Sequence, residues 1–457
     1  MDNQIHQNTE VRLERLSDVI ETGSLLQLQS MLNAMHPAEI AHLLESSPPA
    51  RRHFLWELVD TENEGETLME LGEEVRASLV DKMESGELIE AVKDLNIDDI
   101  ADFIQSLPNA LIEETLAGLS RQQRQRVEAV LVYDEDTAGG MMDTEVLTTR
   151  ADVSVDVVLR YLRIQDELPS YTDTLIIINK YEKYLGIVSI SDLLTSQPDQ
   201  ILQSIVDNDH PAIPAEMSSR EVAALFEDRN LITSPVVDQA GKLLGRITID
   251  DVVDVIRDDA EHSMMGLAGL NEEEDLFSPV ITSVKRRALW LGTNLLTAFL
   301  AAWVIKQFTE TLEAAIALAV LMSIVPSMGG IAGSQTLTLV IRGLALGQIV
   351  KSNAKSLLKK ELLLGFINGT IWAIVVFAIS VLIFHDTGIG IVMAIAMLLN
   401  LMIAPLAGVL LPIILEKLDI DPALAGSVLL TTVTDIVGYM AVLGLASLLL
   451  PYIRAII

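Results

Sequence analysis

Five long apolar stretches in the C-terminal part of the chain decide which folds are possible. They occupy approximately residues 288–307, 314–341, 362–384, 388–415 and 427–450. Each has roughly the 20 residues that a helix needs to cross a bilayer. Because a backbone in lipid must satisfy its own hydrogen bonds, the sequence predicts a domain of five membrane-spanning helices.

The basic residues between these stretches predict how the spans are oriented. They precede the first span and follow the second: Lys285, Arg286, Arg287, Arg342, Lys351, Lys355, Lys359 and Lys360. The turn at 385–388, between the third and fourth spans, has no Lys or Arg. Since loops rich in Lys and Arg stay in the cytoplasm, the N-terminal part is expected inside and the C-terminus outside. The predicted location is the inner (plasma) membrane, with membrane lipid around the spans.

The part of the chain before the spans is strongly acidic. The formal net charge of −33 falls almost entirely on residues up to about Asp275. Such a block excludes nucleic acid as a partner and favours binding of cations, although acidity could also serve only to keep a soluble block dispersed. The chain has no cysteine, which excludes disulfides, thiolate nucleophiles and zinc ribbons. Neither a Walker loop nor a nucleophile elbow occurs, so an enzyme is not expected.

One carboxylate interrupts the fifth apolar stretch. In "LLTTVTDIVGYMAV" (Leu429–Val442), Asp435 is the only charged residue. A charged residue inside a membrane helix is costly and by default indicates an ion pathway. The alternative is a structural role, with Asp435 hydrogen-bonded to a neighbouring helix.

The second stretch contains a segment that predicts an interruption of its helix, "VPSMGGIAGSQ" (Val325–Gln335). Its helix-disturbing residues are Pro326, Gly329, Gly330 and Gly333. Proline removes a backbone donor, and glycines allow close packing or expose carbonyls to a cavity. One interpretation is a kinked helix packed through small residues. The other, favoured by Asp435, is a pore-lining segment whose carbonyls and Gln335 face hydrated ions.

Residues from about 150 to 257 contain an internal repeat. "YLGIVSISDLL" (Tyr184–Leu194) aligns with "LLGRITIDDVV" (Leu243–Val253), and each copy follows a β-rich run. The pattern predicts two small α/β modules packed on each other, and it resembles a pair of CBS modules, a Bateman unit. Such pairs are commonly sensors of metal ions or of adenine nucleotides such as ATP.

The residues before this repeat predict short helices joined by polar turns. "HPAEIAHLL" (His36–Leu44) and "NIDDIADFI" (Asn96–Ile104) are alike, each with an acidic start followed by apolar residues at helical spacing. Repetition of such units predicts an all-α superhelix.

An acidic helix is predicted directly after the second CBS copy, within Ile249–Leu270. Its carboxylates are Asp250, Asp251, Asp254, Asp258, Asp259 and Glu261. Asp251, Asp254 and Asp258 have i, i+3, i+7 spacing and share one face, where like charges repel unless a cation intervenes. Oxygen ligands suit Mg²⁺ or Ca²⁺. A solvated acidic face is the alternative, but the position just before the first span favours a coupling element.

The whole combination resembles the MgtE family of magnesium transporters and channels. The pieces that carry the resemblance are "YDEDTAGGMM", "TIDDVVDVI", "GGIAGSQTLTLVIRGLALG", "DPALAGS" and "TTVTDIVGY". The resemblance implies a multidomain membrane protein made of a superhelical N-domain (1–134), tandem CBS domains (135–257), a connecting helix (258–284) and a five-helix transmembrane domain (285–457).

The resemblance also implies a homodimer whose pore lies on the two-fold axis, lined by the second and fifth spans. Asp435 and its symmetry mate would hold a hydrated Mg²⁺. The other expected pore residues are Thr431, Thr432, Thr434, Gly329, Gly330 and Gln335. High cytoplasmic Mg²⁺ would close the pore by bridging regulatory carboxylates, expected at Asp98, Asp99, Asp251, Asp254, Asp258, Asp259 and, at the pore mouth, Asp421.

Three positions depart from the family pattern, which usually has Asn at 331 and 427 and a sensor carboxylate at 262. Here these positions hold Ile331, Ser427 and His262. Gating affinity and selectivity are therefore expected to differ. A coupled carrier of Mg²⁺ or of another divalent cation such as Co²⁺ or Mn²⁺ is the alternative function, and a membrane-tethered nucleotide sensor is a third.

Overall fold

The chain is represented by a computed structural model. It describes residues 25–165, 168–270, 274–314, 316–350, 352–418 and 420–456. These residues form two compact units. The first contains the described residues up to Asp259 together with 274–278, and the second contains 260–270 and the residues from Pro279 onward.

The N-terminal part of the first unit consists of short helices. They are α1 (Leu25–Leu32), α2 (Pro37–Glu45), α3 (Pro49–Trp56), α4 (Thr61–Met69), α5 (Glu73–Val80), α6 (Ser85–Val92), α7 (Ile97–Gln105), α8 (Asn109–Gly118) and α9 (Arg121–Val130). Side-chain caps start several of them, as at His36 and Ser120. Helices two positions apart along the chain pack together, for example α2 on α4 and α4 on α6. This arrangement confirms the predicted superhelix.

The second half of this unit contains two copies of one α/β module. The first copy comprises β1 (Thr148–Arg150), α10 (Val155–Leu162), β2 (Thr174–Ile178), β3 (Tyr184–Ser189), α11 (Ile190–Thr195) and a 3₁₀ turn (Leu202–Ser204); the second comprises β4 (Ile213–Pro214), α12 (Ser219–Arg229), β5 (Thr233–Val237) and β6 (Leu243–Thr248). In each three-stranded sheet the first pair of strands is parallel and the second pair is antiparallel. The shared order and the matching β-bulges confirm the internal repeat.

A long helix, α13 (Ile249–Leu267), follows β6 directly. The backbone N–H of Thr248 donates to Asp251 Oδ2 over 3.2 Å, which satisfies a donor at the start of the helix. The helix continues without interruption past the expected domain boundary at 257/258.

The second unit contains the membrane helices. They are α14 (Val280–Lys306), α15 (Thr309–Ala314), α16 (Ile316–Leu321), α17 (Ile324–Ala345), α18 (Ala354–Phe384), α19 (Thr387–Glu416) and α20 (Pro422–Ile456). Five spans are long and apolar enough to cross a membrane, with α16 and α17 together forming the second. This second span breaks at Met322–Ser323, because Pro326 has no N–H to donate to the carbonyl one turn earlier.

The fourth membrane helix, α19, forms the centre of this unit. It packs against α17, α18 and α20, and its apolar window is the most buried among the five spans of the described chain. Small residues allow these helices to approach closely: a Cβ on Gly408 would come within 2.7 Å of the Gly333 carbonyl oxygen. Such small-residue contacts are typical of helix packing in lipid.

Candidate metal-ion sites

Helix α20 carries a polar face in the middle of the membrane unit. Ser427, Thr431 and Asp435 follow one another at i, i+4 and i+8, and each is at least partly exposed in the single chain. The hydroxyls of Thr431 and Thr432 donate to helix carbonyls at 2.9 and 2.8 Å. No hydrogen bond or ion pair joins the Asp435 carboxylate to any other residue that the structure describes. This carboxylate is therefore available to a ligand.

The broken second span packs against α20 beside this carboxylate. Thr434 is buried and donates to the Thr431 carbonyl over 3.0 Å. A Cβ built on Gly330 would lie 3.9 Å from Thr434 Oγ1. Two of the predicted pore residues, Gly330 on α17 and Thr434 on α20, thus approach each other next to Asp435.

Helix α17 exposes a second polar stripe. Its exposed polar residues at helical spacing are Ser327, Ser334, Gln335, Thr338 and Arg342, and the apolar Ile331 is exposed among them. Hydroxyl and amide groups are unfavourable against lipid tails. The stripe therefore suits a water-filled path or another protein surface. Gln335 belongs to this stripe, whereas Gly329 faces away from it and is buried against Asn400 of α19.

At the start of α20, Asp421 is held by two contacts. Its Oδ1 accepts from the backbone N–H of Ala423 at 2.8 Å, which caps the helix. Its Oδ2 lies 2.9 Å from Nε2 of His262, near the end of α13. His262 thus contacts Asp421 from a position where the family pattern usually has a sensor carboxylate.

A separate acidic cluster forms in the first unit, where α7 faces the start of α13. Its members, defined by their mutual electrostatic effects, are Asp98, Asp99, Asp102, Asp143, Asp250 and Asp251. The structure brings together three of the predicted regulatory carboxylates, Asp98, Asp99 and Asp251. It adds Asp102 and Asp250, which the sequence analysis did not select as sensor residues.

Burial and repulsion raise the pKa values of four members of this cluster, Asp98, Asp99, Asp102 and Asp251. Burial, followed by the charge of Asp250, raises the pKa of Asp251 to about 8 and that of Asp99 to about 6. Burial, followed by Asp99, raises the pKa of Asp102 to about 7. Burial, followed by Asp251, raises the pKa of Asp98 well above its usual value. The cluster therefore cannot carry all of its negative charges at neutral pH without strong mutual repulsion.

The other predicted carboxylates of α13 contact arginines. Arg257 lies 3.0 Å from Asp254 through Nη1 and 3.3 Å from Asp258 through Nε. Arg220 of α12 lies 2.6 Å from Asp259. Cationic side chains therefore already neutralise part of the acidic face, which the i, i+3, i+7 spacing alone could not show.

The acidic cluster is not a preformed inner-sphere metal cage. Within the described part of the chain, no group of three or more His, Cys, Asp or Glu side chains has a metal-coordinating arrangement. One carboxylate oxygen, Oδ1 of Asp98, is buried without a hydrogen-bond partner among the described residues. A crowded set of carboxylates without inner-sphere geometry is better suited to a hydrated divalent cation, which can bridge through its water ligands, than to a dehydrated one.

Two further polar residues of the membrane unit escaped the sequence analysis. Glu361 of α18 is buried and accepts from Thr336 of α17 at 3.0 Å. Asn400 of α19 is also buried. Asn400 could have been noticed as an amide within an apolar run, whereas Glu361 falls just outside the predicted third span (362–384), directly after the basic residues Lys359 and Lys360.

An acidic unit with CBS modules, followed in the chain by five membrane helices that present an unpaired carboxylate, is the architecture of a multi-pass membrane protein suited to handling cations. A family described as a divalent cation transporter matches residues 322–445, the MgtE intracellular N domain matches 35–136, and the CBS domain matches 138–199 and 202–258. The chain belongs to the MgtE family of magnesium transporters. It is a membrane protein with its N-terminal domain in the cytoplasm.

Relatives match over almost the full length of the chain. The magnesium transporter MgtE of Thermus thermophilus is 27% identical over 95% of this chain and 98% of its own length. That of Bacillus subtilis is 24% identical, with 95% and 96% covered. Among solved structures, the cytosolic domain of the Mg²⁺ channel MgtE in complex with ATP has a TM-score of 0.49 and 27% identity, and it covers 53% of this chain and 99% of that one.

Proposed function

We propose that the protein is a homodimeric, Mg²⁺-selective channel that cytoplasmic Mg²⁺ closes. The observation that carries this proposal is the Asp435 carboxylate, which has no partner among the described residues although it lies in a membrane helix. An ionised carboxylate is unstable against lipid, so it faces water or a second protein surface. A water-filled ion path lined by protein would provide such surroundings for the Asp435 carboxylate.

The residues around Asp435 suit an ion that keeps its water. Mg²⁺ gives up its waters reluctantly, so a selective pore binds the hydrated ion through hydrogen bonds from its water ligands. The hydroxyls of Thr431 and Thr432 donate to helix carbonyls, which leaves their oxygens as acceptors for those hydrogens. Asp435 supplies the negative charge.

A homodimer completes this site. One carboxylate only half-neutralises a dication, whereas a two-fold axis beside α20 would supply a second Asp435. The exposed polar stripe of α17, which includes Ser334, Gln335 and Thr338, would then face the pore instead of lipid. A closed two-fold assembly is also the commonest form of a homo-oligomer.

Regulation is assigned to the acidic cluster. When Mg²⁺ is abundant, hydrated ions offset the repulsion between α7 and α13 and favour the state in which these helices are in contact. When Mg²⁺ falls, Asp98, Asp99 and Asp251 repel one another and the contact loosens. Mg²⁺ thus shifts a population between two states by binding one of them better, and the closed pore corresponds to the Mg²⁺-bound state.

The CBS pair provides a second ligand position, for which we propose ATP. The support is the CBS match itself, because duplicated modules of this kind commonly sense adenine nucleotides. Binding of ATP would add to the free energy that holds the cytoplasmic unit in one conformation.

The decisive experiment compares two Asp→Asn variants in proteoliposomes. Asp435→Asn is expected to abolish Mg²⁺ uptake without loss of folded protein. Asp386→Asn is the matched control, since Asp386 caps α19 through the N–H groups of Gly388 and Ile389 and asparagine caps equally well. Wild-type uptake by Asp435→Asn would reject the pore assignment.

Recordings from planar bilayers separate a channel from a carrier. Discrete unitary Mg²⁺ currents are expected from a channel. A coupled carrier of Mg²⁺, Co²⁺ or Mn²⁺ would show only slow flux that depends on the gradient of the coupled ion. Carriers commonly contain paired broken helices in inverted repeats. Among the described membrane spans only the second is split into two helices, which favours the channel.

A further inference from the structure

Asn400 occupies a specific place beside the break in the second membrane span. It lies within α19 with 0% of its surface exposed. Its Nδ2 donates to the backbone carbonyl of Val325 over 2.7 Å. Its Oδ1 is buried and has no hydrogen-bond partner among the described residues. A buried amide that is only half satisfied is costly, so its presence here needs an explanation beyond packing.

The same amide faces Gly329, one turn further along α17. A Cβ on Gly329 would lie 2.1 Å from Asn400 Nδ2 and 2.8 Å from its Cγ. These separations are far below van der Waals contact, so the Asn400 amide fills the space that any other residue at 329 would need. Asn400 therefore contacts α17 at two successive turns, by a hydrogen bond to Val325 and by steric fit to Gly329.

We infer that Asn400 is a positioning residue for the ion path. The beginning of α17 is weakly held by its own helix, because the span breaks at Met322–Ser323 and Pro326 supplies no N–H. Asn400 fixes this beginning from outside. Gly330 follows Gly329 directly, so the Asn400 contact also sets how Gly330 is placed against Thr434, next to Asp435. This inference rests on the proposed channel and adds a residue that does not touch the ion.

Steric fit and hydrogen bonding make different predictions for two substitutions. Gly329→Ala places a methyl group into the Asn400 amide and should lower the Mg²⁺ uptake rate about tenfold or more, as for other outer contacts of a metal site. In an Asn400→Ala background that clash is absent. Gly329→Ala/Asn400→Ala should therefore transport as fast as Asn400→Ala alone, and faster than Gly329→Ala.

Asn400→Leu isolates the hydrogen bond, because leucine has nearly the shape of asparagine but cannot donate. Its ratio of Mg²⁺ to Mn²⁺ uptake should fall about threefold, equivalent to one lost hydrogen bond. A residue that serves only folding would lower both uptake rates equally. Asn368→Leu, on the exposed side of α18, and Gly444→Ala, whose Cβ would meet nothing closer than 4.0 Å, are the matched controls.

All variants are reconstituted as the full chain, and uptake is divided by the amount of monodisperse protein. The positioning role would be overturned if the loss of Mg²⁺ uptake in Gly329→Ala/Asn400→Ala equalled the combined losses of the two single variants. A wild-type ratio of Mg²⁺ to Mn²⁺ uptake in Asn400→Leu would overturn it as well. Asp435→Asn is measured in parallel. If Asp435→Asn transports normally, the proposed function itself fails; if Asp435→Asn is inactive and the losses are additive, only the role of Asn400 fails.

Discussion

Gly438 of α20 lies directly against Pro326 of α17: a Cβ on Gly438 would come within 2.7 Å of Pro326 Cγ and 3.0 Å of Pro326 Cα. The two helices therefore meet at the break in the second span. Asp435 precedes Gly438 by one helical turn, so this contact sets the depth and direction of the carboxylate. Close approach at glycine is a common way for membrane helices to associate, because lipid offers no hydrophobic driving force between them.

Enlarging Gly438 should disturb the ion path without changing its charge. Gly438→Val should lower Mg²⁺ uptake in proteoliposomes about tenfold or more, because the side chain pushes α20 away from Pro326 and displaces Asp435. Gly292→Val is the control, since a Cβ on Gly292 of α14 would meet nothing within 4 Å. Equal uptake by the two variants would show that the Gly438 contact does not position the carboxylate.

The buried pair of Glu361 and Thr336 should contribute to stability through hydrogen bonding. Glu361→Leu removes the nearer acceptor of the hydroxyl of buried Thr336, which also lies 3.4 Å from the Ala332 carbonyl oxygen, and should destabilise the protein by about 1 kcal/mol. Glu361→Gln keeps an acceptor and should cost less. Unfolding in detergent micelles measures both. In a double-mutant cycle with Thr336→Val, a coupling of zero would show that the hydrogen bond contributes nothing.

The sequence predicted the architecture well because the responsible forces act locally. Apolar windows long enough to cross a bilayer predicted five spans, and the structure has five. The first span begins at Val280 and the third at Ala354, earlier than the apolar runs, because charged side chains continue the helix beyond the hydrocarbon region. The repeat containing Gly186 and Gly245 predicted the duplicated module for the same local reason.

The sites could be predicted only in part, because they depend on contacts between distant segments. Asp98 and Asp251 are far apart in sequence, and no spacing rule states that α7 faces α13. Arg220, the partner of Asp259, lies on another helix, so no spacing rule could predict this pair either. Asn400 could be noticed as polar, but only the fold shows that it faces Gly329.

The arginine contacts of α13 predict how its Mg²⁺ sensitivity can be increased. Arg220→Gln and Arg257→Gln leave Asp254, Asp258 and Asp259 without the nearby positive charges seen in the structure. The added negative potential should attract Mg²⁺, so half-maximal closure should need about two- to fivefold less of it, as expected for partly exposed ion pairs. Patch recordings with stepped cytoplasmic Mg²⁺ measure this shift.

The control for that shift is Arg160→Gln. Arg160 pairs with Asp156 over 2.6 Å on α10. The variant therefore also loses a positive charge, as each of the two substitutions above does, but it frees no carboxylate of α13. An equal shift in Arg160→Gln would mean that net charge, and not the local pairs, determines the sensitivity.

Protons should replace Mg²⁺ in holding α7 and α13 together. The contact raises the pKa of Asp99 to about 6 and that of Asp251 to about 8. The state with the helices in contact therefore binds more protons than the separated state, in which these groups titrate near their ordinary values. The resulting stabilisation is complete below about pH 3.9 and is lost as the pH rises through these raised pKa values.

Hydrogen exchange of the full chain in metal-free detergent solution measures this dependence. After correction for the intrinsic exchange rate, amides of α7 should be well protected at low pH, poorly protected at alkaline pH, and protected again when Mg²⁺ is added there. Peptides from α12 serve as the internal reference. In Asp98→Asn/Asp99→Asn/Asp251→Asn, protection should respond much less to pH and to Mg²⁺, because Asp102, Asp143 and Asp250 then remain as the ionisable members of the cluster. A response as large as that of the wild type would move the sensor to other carboxylates.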